Sequence, residues 1–561
     1  MRCTIGILAA FVFLCSLPVK ADPEWKRDDF DDPSVRLPVP SANPRMSATI
    51  ENGLLHVVDG GTVKGDMIVM SHYWIAHPGT GSCVRARVKV VACEGLAGVS
   101  ICFSDGVHED ILTLYTDRIE LHHAKLSHPM DTTDAFHEYR VDIRDTDVTV
   151  TVDSTPAISG KGAFTFPAHK GRNRVSFGAA ASHSTGDAYW DWLTWTDGRA
   201  AARALQPALP GAENVVVFKK KGVYAPFPSL LIDSADNTLY TTFTKKTTRT
   251  HYRTLDSTRG LMASADGGIT WKDVEKLPSG TRGPHSGPIY KTADGALVRI
   301  DQNWRKWYPP ERLGAFKGKI RTSTQGASRP GWFSTNSGGY LQRSEDDGKT
   351  WTKAPIGKLD TWSSCSSPWS FMQLRDGRVL RAFMVRSKEG DSGDVYVAIT
   401  ADGRAAEVHR VMGDPDEKLS FTEETLVGET DDGVLWVLTR VGGGDDQMWQ
   451  GISRDGGKTW TASPSGIIGH PPSGFVRLKD GRCLLTYGYR HSPYGIRAVL
   501  STDGGLTWDT SHIIILRNDG GGYDLGYPRS MQLEDGAIFT IYYFTGDDNV
   551  THIAGTRWQL P

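Results

Sequence analysis

Charge of one sign is what this chain most conspicuously lacks. Its 561 residues carry 63 Lys and Arg against 65 Asp and Glu, a net charge of −2. A balance this even gives no global basic surface, so a nucleic-acid partner is not expected. Cysteine is also scarce, at seven residues. Cys3 and Cys15 lie in the N-terminal leader, which leaves Cys83, Cys93, Cys102, Cys365 and Cys483, an odd number. One disulfide among the first three and buried unpaired thiols both fit an oxidising compartment. No Cys/His spacing has the pattern of a zinc site, and neither a metal nor a cofactor is expected. Long hydrophobic runs are missing too. Only Ile5 to Leu17 is continuously apolar, and it is too short to span a bilayer comfortably. Arg2 before it and Val19-Lys20-Ala21 after it give residues 1–21 the pattern of a cleaved signal peptide. A secreted or periplasmic protein without membrane insertion is the expectation.

What the chain has in quantity is turn chemistry. It contains 61 Gly and 17 Trp, which suits a many-turned β protein. One pattern, Ser-x-Asp-x-Gly-x-Thr-Trp, occurs four times, at Ser264 to Trp271, Ser344 to Trp351, Ser453 to Trp460 and Ser501 to Trp508. Repetition at this spacing indicates a radial β architecture. The Asp can accept bonds from its own turn, the Gly supplies positive φ, and the Thr and Trp start the next strand. The pattern therefore reads as a hairpin staple rather than as four catalytic sites.

A second, softer repeat begins at Asn214. Six segments turn at Asp236-Asn237, Asp294-Gly295, Asp376-Gly377, Asp432-Gly433, Asp480-Gly481 and Asp535-Gly536 between alternating apolar runs. Asp-Gly in that setting is a strong hairpin signal. Six hairpins predict an all-β, six-bladed propeller over 214–561, closed by pairing Val215-Val216-Val217 with the last strand near Ile553 to Trp558. Residues 22–198 show period-two alternation, as in Val84, Ala86, Val88 and Val90, and predict an antiparallel β-sandwich of jelly-roll type. Residues 199–213, rich in Ala and Pro, read as a linker.

In such a wheel the inner-strand starts and the second-strand ends meet at one rim. The inner starts fall near Pro226, His285, Ser367, Glu424, His470 and Tyr527, and the second ends near Lys245, Asn303, Arg386, Arg440, Arg490 and Phe544. Arg386, Arg440 and Arg490 fall at almost the same register on three consecutive blades. Their forked donors suit a carboxylate or sulfate, unless each pairs with a neighbouring acid. His285 and His470 open inner strands and are candidates for substrate bonding or proton transfer, or for bonding to rim backbone. An insertion over about 302–340 carries Trp304 and several arginines; it fits a pocket wall, with contact to the N-terminal unit as the competitor.

Asn214 to Pro561 resembles the sialidase (neuraminidase) superfamily of Asp-box propellers, and the N-terminal unit resembles laminin-G or concanavalin-like domains. The resemblance rests on the four staples, on TEETLVGETDDGVLWVLTR in the fourth blade and on GYPRSM in the last. It implies Glu424 as the catalytic glutamate, Tyr527 as the nucleophile, Asp256 as the acid/base, and Arg440 and Arg490 as arginines that hold a substrate carboxylate. One departure stands out. Where the family opens its first blade with Phe/Tyr-Arg-Ile-Pro, this chain has Tyr224-Ala225-Pro226-Phe227-Pro228, so Pro226 occupies the arginine position. Proline has neither charge nor an N–H donor. Arg386, Arg249 and Arg253 are the candidates to compensate. The implied function is an exported glycoside hydrolase acting on an acidic sugar, either sialic acid or a uronate or sulfated glycan. A polysaccharide lyase and a non-catalytic glycan binder are the alternatives. A glycan is the expected partner in each case, and the oligomeric state stays open.

Overall fold

The computed structural model describes residues 24–30, 45–61, 67–169, 172–181, 183–247, 249, 251, 256–279, 281, 289–302, 306–316, 322–323, 332–335, 338–359, 363–364, 370–386, 393–414, 416, 418–442 and 446–561. The leader (residues 1–21), His285, Trp304, Arg253, Asn303, Ser367 and Cys365 lie outside the described residues.

The N-terminal unit is two antiparallel sheets, of eight and six strands, packed face to face. The long strands Ser82–Glu94 and Thr185–Asp197 run side by side in the larger sheet. Their alternation has a direct cause. Val84, Ala86, Val88 and Val90 are fully buried between the sheets, while Arg85, Arg87 and Lys89 face outward. Trp190 and Trp195 also point into this core. Of the two readings left open for the first three cysteines, unpaired thiols hold. Cys83 and Cys93 sit near opposite ends of one strand, about 30 Å apart at the usual rise, and Cys102 lies in the other sheet, so all three are free thiols.

Beyond residue 212 the described residues form six antiparallel sheets of four or five strands in chain order, and a small three-stranded sheet, Lys306–Tyr308, Phe333–Thr335 and Thr322–Ser323, in the insertion of the second. The six larger sheets serve as blades one to six. The last is completed by Glu213–Phe218, which pairs with Thr551–Trp558 and closes the ring. Gly295, Gly377, Gly433, Gly481 and Gly536 all have positive φ at the first hairpin turn of blades two to six, and Asn237 takes this role in blade one. The cores lie between blades rather than within them. Separate apolar clusters join blades two and three, three and four, four and five, and six and one.

Each staple closes as its residues require. The Ser hydroxyl donates to Asp Oδ1 at 2.7–2.8 Å in all four copies. It also accepts the N–H of Gly268, Gly348, Gly457 or Gly505. The indoles of Trp271, Trp351 and Trp460 donate to their own turn carbonyl, whereas Trp508 reaches Gln450 Oε1 on blade four at 2.9 Å. The staple carboxylates are spent on their turns and on blade edges.

The segment expected to be a linker is structured. Arg199–Leu205 is a short helix, which its run of Ala favours. Ala202 joins a core cluster with residues of blades five and six and with Ile75 of the sandwich. Arg199 and Arg203 both bind Asp547, and Leu209 N donates to Ile515 O at 2.7 Å. Tyr73 of the sandwich meets the rings of Tyr494 and Tyr523 at 5.9 Å. The two units are thus seated on each other next to Asp524, and the sandwich edge approaches the rim of blade six.

Candidate functional site

The site begins with backbone that glycine lets converge. A Cβ on Gly488, in the second strand of blade five, would lie 2.8 Å from His470 O and 3.0 Å from Gly526 Cα. Gly469 and Gly526, which precede the inner-strand starts of blades five and six, have φ of +131° and +123°. This packing delivers His470 and Tyr527 to one rim.

Tyr527 itself has φ +50° and precedes Pro528; Phe227, before Pro228 in blade one, has φ +58°. A bulky residue with left-handed backbone is strained, and such strain collects where the surrounding structure needs a side chain in one place. The two rings meet edge to face at 4.8 Å, and Arg490 Cζ lies 5.8 Å from the Tyr527 ring.

Tyr543, on the second strand of blade six, is the hub that joins these groups. Its phenol is fully buried, and burial pushes it well above its ordinary pKa. Its oxygen receives Arg490 Nη2 at 2.9 Å and lies 3.5 Å from His251 Nε2. Arg490 Nε donates to Leu525 O at 2.9 Å. Among the described residues, Arg490 has no ion-pair partner within 4.0 Å.

Glu424 and Arg440 stand on adjacent strands of blade four and are bonded, Nη1 to Oε2, at 2.7 Å. Burial would lower the Arg440 pKa, and the facing Glu424 charge more than reverses this. Next to them, Asp446 Oδ2 lies 3.2 Å from His491 Nε2 and 3.8 Å from His470 Nε2. His470 is buried. Desolvation first, then the charges of Arg440, Arg490 and His491, hold its pKa well below the usual value. It is a neutral imidazole near neutrality.

On the blade-one side, Asp524 is buried in the turn before Tyr527. It accepts Tyr224 Oη at 3.2 Å and lies 3.0 Å from His251 Nε2 and 3.5 Å from Arg249 Nε. Burial raises the carboxyl, but the His251 bond and the charges of His251, Arg249 and Arg490 outweigh it, and the pKa is lowered overall. A cavity of about 330 Å³ opens here, lined by Phe227, Lys246, His251 and Arg259 among others.

The structure thus brings Tyr527, Glu424, Arg440, Arg490 and His470 to neighbouring positions on one rim. Arg386 ends the second strand of blade three, nine residues past the turn glycine as Arg490 is in blade five, whereas Arg440 stands two residues earlier in blade four. Asp256 stands elsewhere. It is exposed, its Oδ2 receives Thr247 N at 2.7 Å and Thr247 Oγ1 at 2.6 Å, and it lines a hollow with Lys245, Lys246 and Asp273. Pro226 contributes only its carbonyl, which accepts Thr244 N. Arg249 is engaged by Asp524 and by Asn549 Oδ1 at 2.6 Å. Arg497 turns to the ring of Tyr489 and to Gln206.

Residues 315–540 match the family model for the BNR repeat-like domain. The matched stretch lies within the propeller, which resembles the sialidase superfamily. A sialidase of Bacteroides fragilis is 25% identical over 326 residues, covering 52% of this chain and 54% of its own length. The chain therefore matches only about half the length of that curated relative. A Dyadobacter fermentans protein of unknown function is 27% identical, covering 63% of this chain and all of its own, with a TM-score of 0.47. The NanB sialidase of Streptococcus pneumoniae is 12% identical, covering 90% of this chain and 98% of its own, with a TM-score of 0.37.

The repeat pointed to positions on the rim of the propeller but gave no sign of Tyr543, Asp524, His251, Asp446 or His491. Tyr543 is one residue from Phe544, which the register had marked. Asp524 is the single acid in the Gly-rich segment GGGYDLGYP, a signal that was present and unused.

Proposed function

We propose that this protein is a glycoside hydrolase of sialidase type that acts on an acidic sugar, with Tyr527 as nucleophile and Glu424 as its base. The observation that carries the reading is the association of Tyr527 with Arg490, an arginine whose charge no described carboxylate pairs. An anionic substrate repels a carboxylate nucleophile, so a neutral phenol is the better attacker. Free tyrosine titrates near 10 and needs a base to react near neutrality. The base assigned here is Glu424, which Arg440 holds on this rim by a bond of 2.7 Å.

The substrate's charged group is proposed to rest on Arg490, with Arg440 and Arg386 beside it and His285, His470 and Trp304 as further contacts. Pro226 in place of an arginine removes one of the donors that would hold a sialic acid carboxylate, which favours a uronate or a sulfated sugar. The protein is proposed to work outside the cytoplasm, after removal of residues 1–21. Among the described residues no helix is long and apolar enough to cross a membrane.

The experiment is a panel of 4-nitrophenyl glycosides of sialic acid, glucuronic acid and sulfated hexoses, each with wild-type protein and Tyr527→Phe. Release of nitrophenol by wild type alone is expected. Full activity in Tyr527→Phe defeats the assignment. Growth of ultraviolet absorbance from a new double bond in uronate polymers, without hydrolysis, would make the protein a lyase.

A further inference from the structure

His251 and Asp524 form a pair that the reading of the repeat did not anticipate. His251 follows the second strand of blade one, Leu239–Lys245, and its Nε2 lies 3.0 Å from Asp524 Oδ1 on blade six. Asp524 is almost enclosed, its side chain 10% exposed, whereas the imidazole is 39% exposed and lines the cavity described above. The carboxylate can only accept, so Nε2 carries the hydrogen and Nδ1 is left to exchange a proton. The ring is held on its other sides by Phe227 edge-on at 5.3 Å and by Tyr224 at 6.4 Å. Among the described residues, the charged and titratable groups around it are Arg249, Lys246 and Arg259 from its own blade, Tyr224 from the blade's start, Arg490 from blade five, and Tyr543 with Asp524 from blade six.

We propose that His251, oriented by Asp524, is the proton-transfer residue of this site, in the role that family resemblance assigns to Asp256. The proposal rests on the glycoside-hydrolase reading. Two observations favour His251. The Oδ2 of Asp256 is committed to the N–H and hydroxyl of Thr247. His251, by contrast, is 3.5 Å from Tyr543 Oη, which also receives Arg490. Charge favours it as well. A protonated imidazole attracts an anionic sugar and is stabilised from behind by the buried carboxylate, whereas an ionised aspartate repels that sugar.

In the first step, protonated Nδ1 gives its proton to the glycosidic oxygen. The C–O bond breaks with its electron pair moving to that oxygen, which departs as an alcohol. Tyr527 Oη bonds to the anomeric carbon as its proton passes to Glu424. In the second step, neutral Nδ1 takes a proton from water while the water oxygen attacks the anomeric carbon. Tyr527 leaves as phenolate and recovers its proton from Glu424, and His251 ends protonated as it began.

The test compares methyl and 4-nitrophenyl glycosides of the acidic sugar that the wild-type protein cleaves. Nitrophenolate leaves without help, and a methoxide does not. In His251→Gln, the rate on the methyl glycoside should fall about 100-fold or more, and that on the nitrophenyl glycoside far less. Asp524→Asn should show the same asymmetry, weaker in degree, while Asp256→Asn should treat both substrates alike. Equal losses in His251→Gln, or the asymmetry appearing in Asp256→Asn, would overturn the proposal. A second readout needs no turnover. Nitrogen NMR should show His251 as the Nε2–H tautomer, a preference that weakens in Asp524→Asn. An unchanged tautomer in that variant would overturn the pairing. A wild-type protein inert on every glycoside would defeat the hydrolase reading itself, an outcome distinct from both.

Discussion

Arg440 donates to Glu424 Oε2 at 2.7 Å across the first hairpin of blade four. The pair neutralises itself in the resting site. The rim therefore carries one arginine whose charge is already answered and one, Arg490, that bonds only neutral oxygens among the described residues. On the proposed reading, Arg490 is the arginine with charge to offer a ligand, and Arg440 stands beside it already paired with Glu424.

Breaking the Arg440–Glu424 pair should cost stability from either side. The side chains are 28% and 12% exposed, so the loss is discounted to about 1–3 kcal/mol for Arg440→Met or Glu424→Gln. A urea-denaturation double-mutant cycle should show the double variant losing less than the sum of the single losses. Simple additivity would mean that the two residues are not coupled.

Tyr543→Phe removes the oxygen that receives Arg490 Nη2 but keeps the buried ring. A stability loss of about 0.5–1.5 kcal/mol is expected. Because Arg490 is assigned to substrate binding, KM on the preferred glycoside should rise more than kcat falls. A pure kcat defect would place the hydroxyl in the chemistry instead.

His470 makes stability depend on pH in a stated direction. Its folded pKa is depressed, so its contribution is complete above the unfolded value of about 6.5. As pH falls below that value the unfolded chain takes up a proton that the folded imidazole refuses. Stability then declines by up to about 1.4 kcal/mol per pH unit until the folded pKa is passed. His470→Gln should flatten this part of the curve, measured by urea denaturation between pH 7 and pH 5. An unchanged slope would mean that His470 titrates in the folded protein as it does in the unfolded chain.

Ser264→Ala tests the staple as structure. It leaves the buried Gly268 N–H without its 2.9 Å acceptor, for a loss of about 1–3 kcal/mol. Turnover at a temperature well below the transition should be unchanged. A specific loss of activity would return a functional role to the repeat.

The parts of the fold that were legible are those whose causes are local. Asp294-Gly295 and its counterparts state a hairpin within two residues, because few sequences tolerate that backbone. The ring closure was legible because Val215 to Val217 has no partner nearby in the chain, while Ile553 to Trp558 ends it. Other expectations failed where context overruled composition. The Ala-rich linker became a docked helix once Ala202 had a cluster to join. Cys83 and Cys93 could not pair because one extended strand holds them apart.

The candidate site was legible only as positions on a rim. Register placed Glu424, Arg440, Arg490 and Tyr527 there. It could not say that Glu424 and Arg440 bind each other, nor that Arg249 is taken by Asp524 and Asn549. His251 and Asp524 are 273 residues apart, and no periodicity relates them.

Turn chemistry and period-two patterning act over a few residues, so the amino-acid order alone was enough to specify the blades, their number and the staples. Partnership among ionisable groups is different in kind. It depends on closure of the ring, which sets the start of the propeller against its end and decides, through burial and distance, which charges are cancelled and which stay available to a ligand.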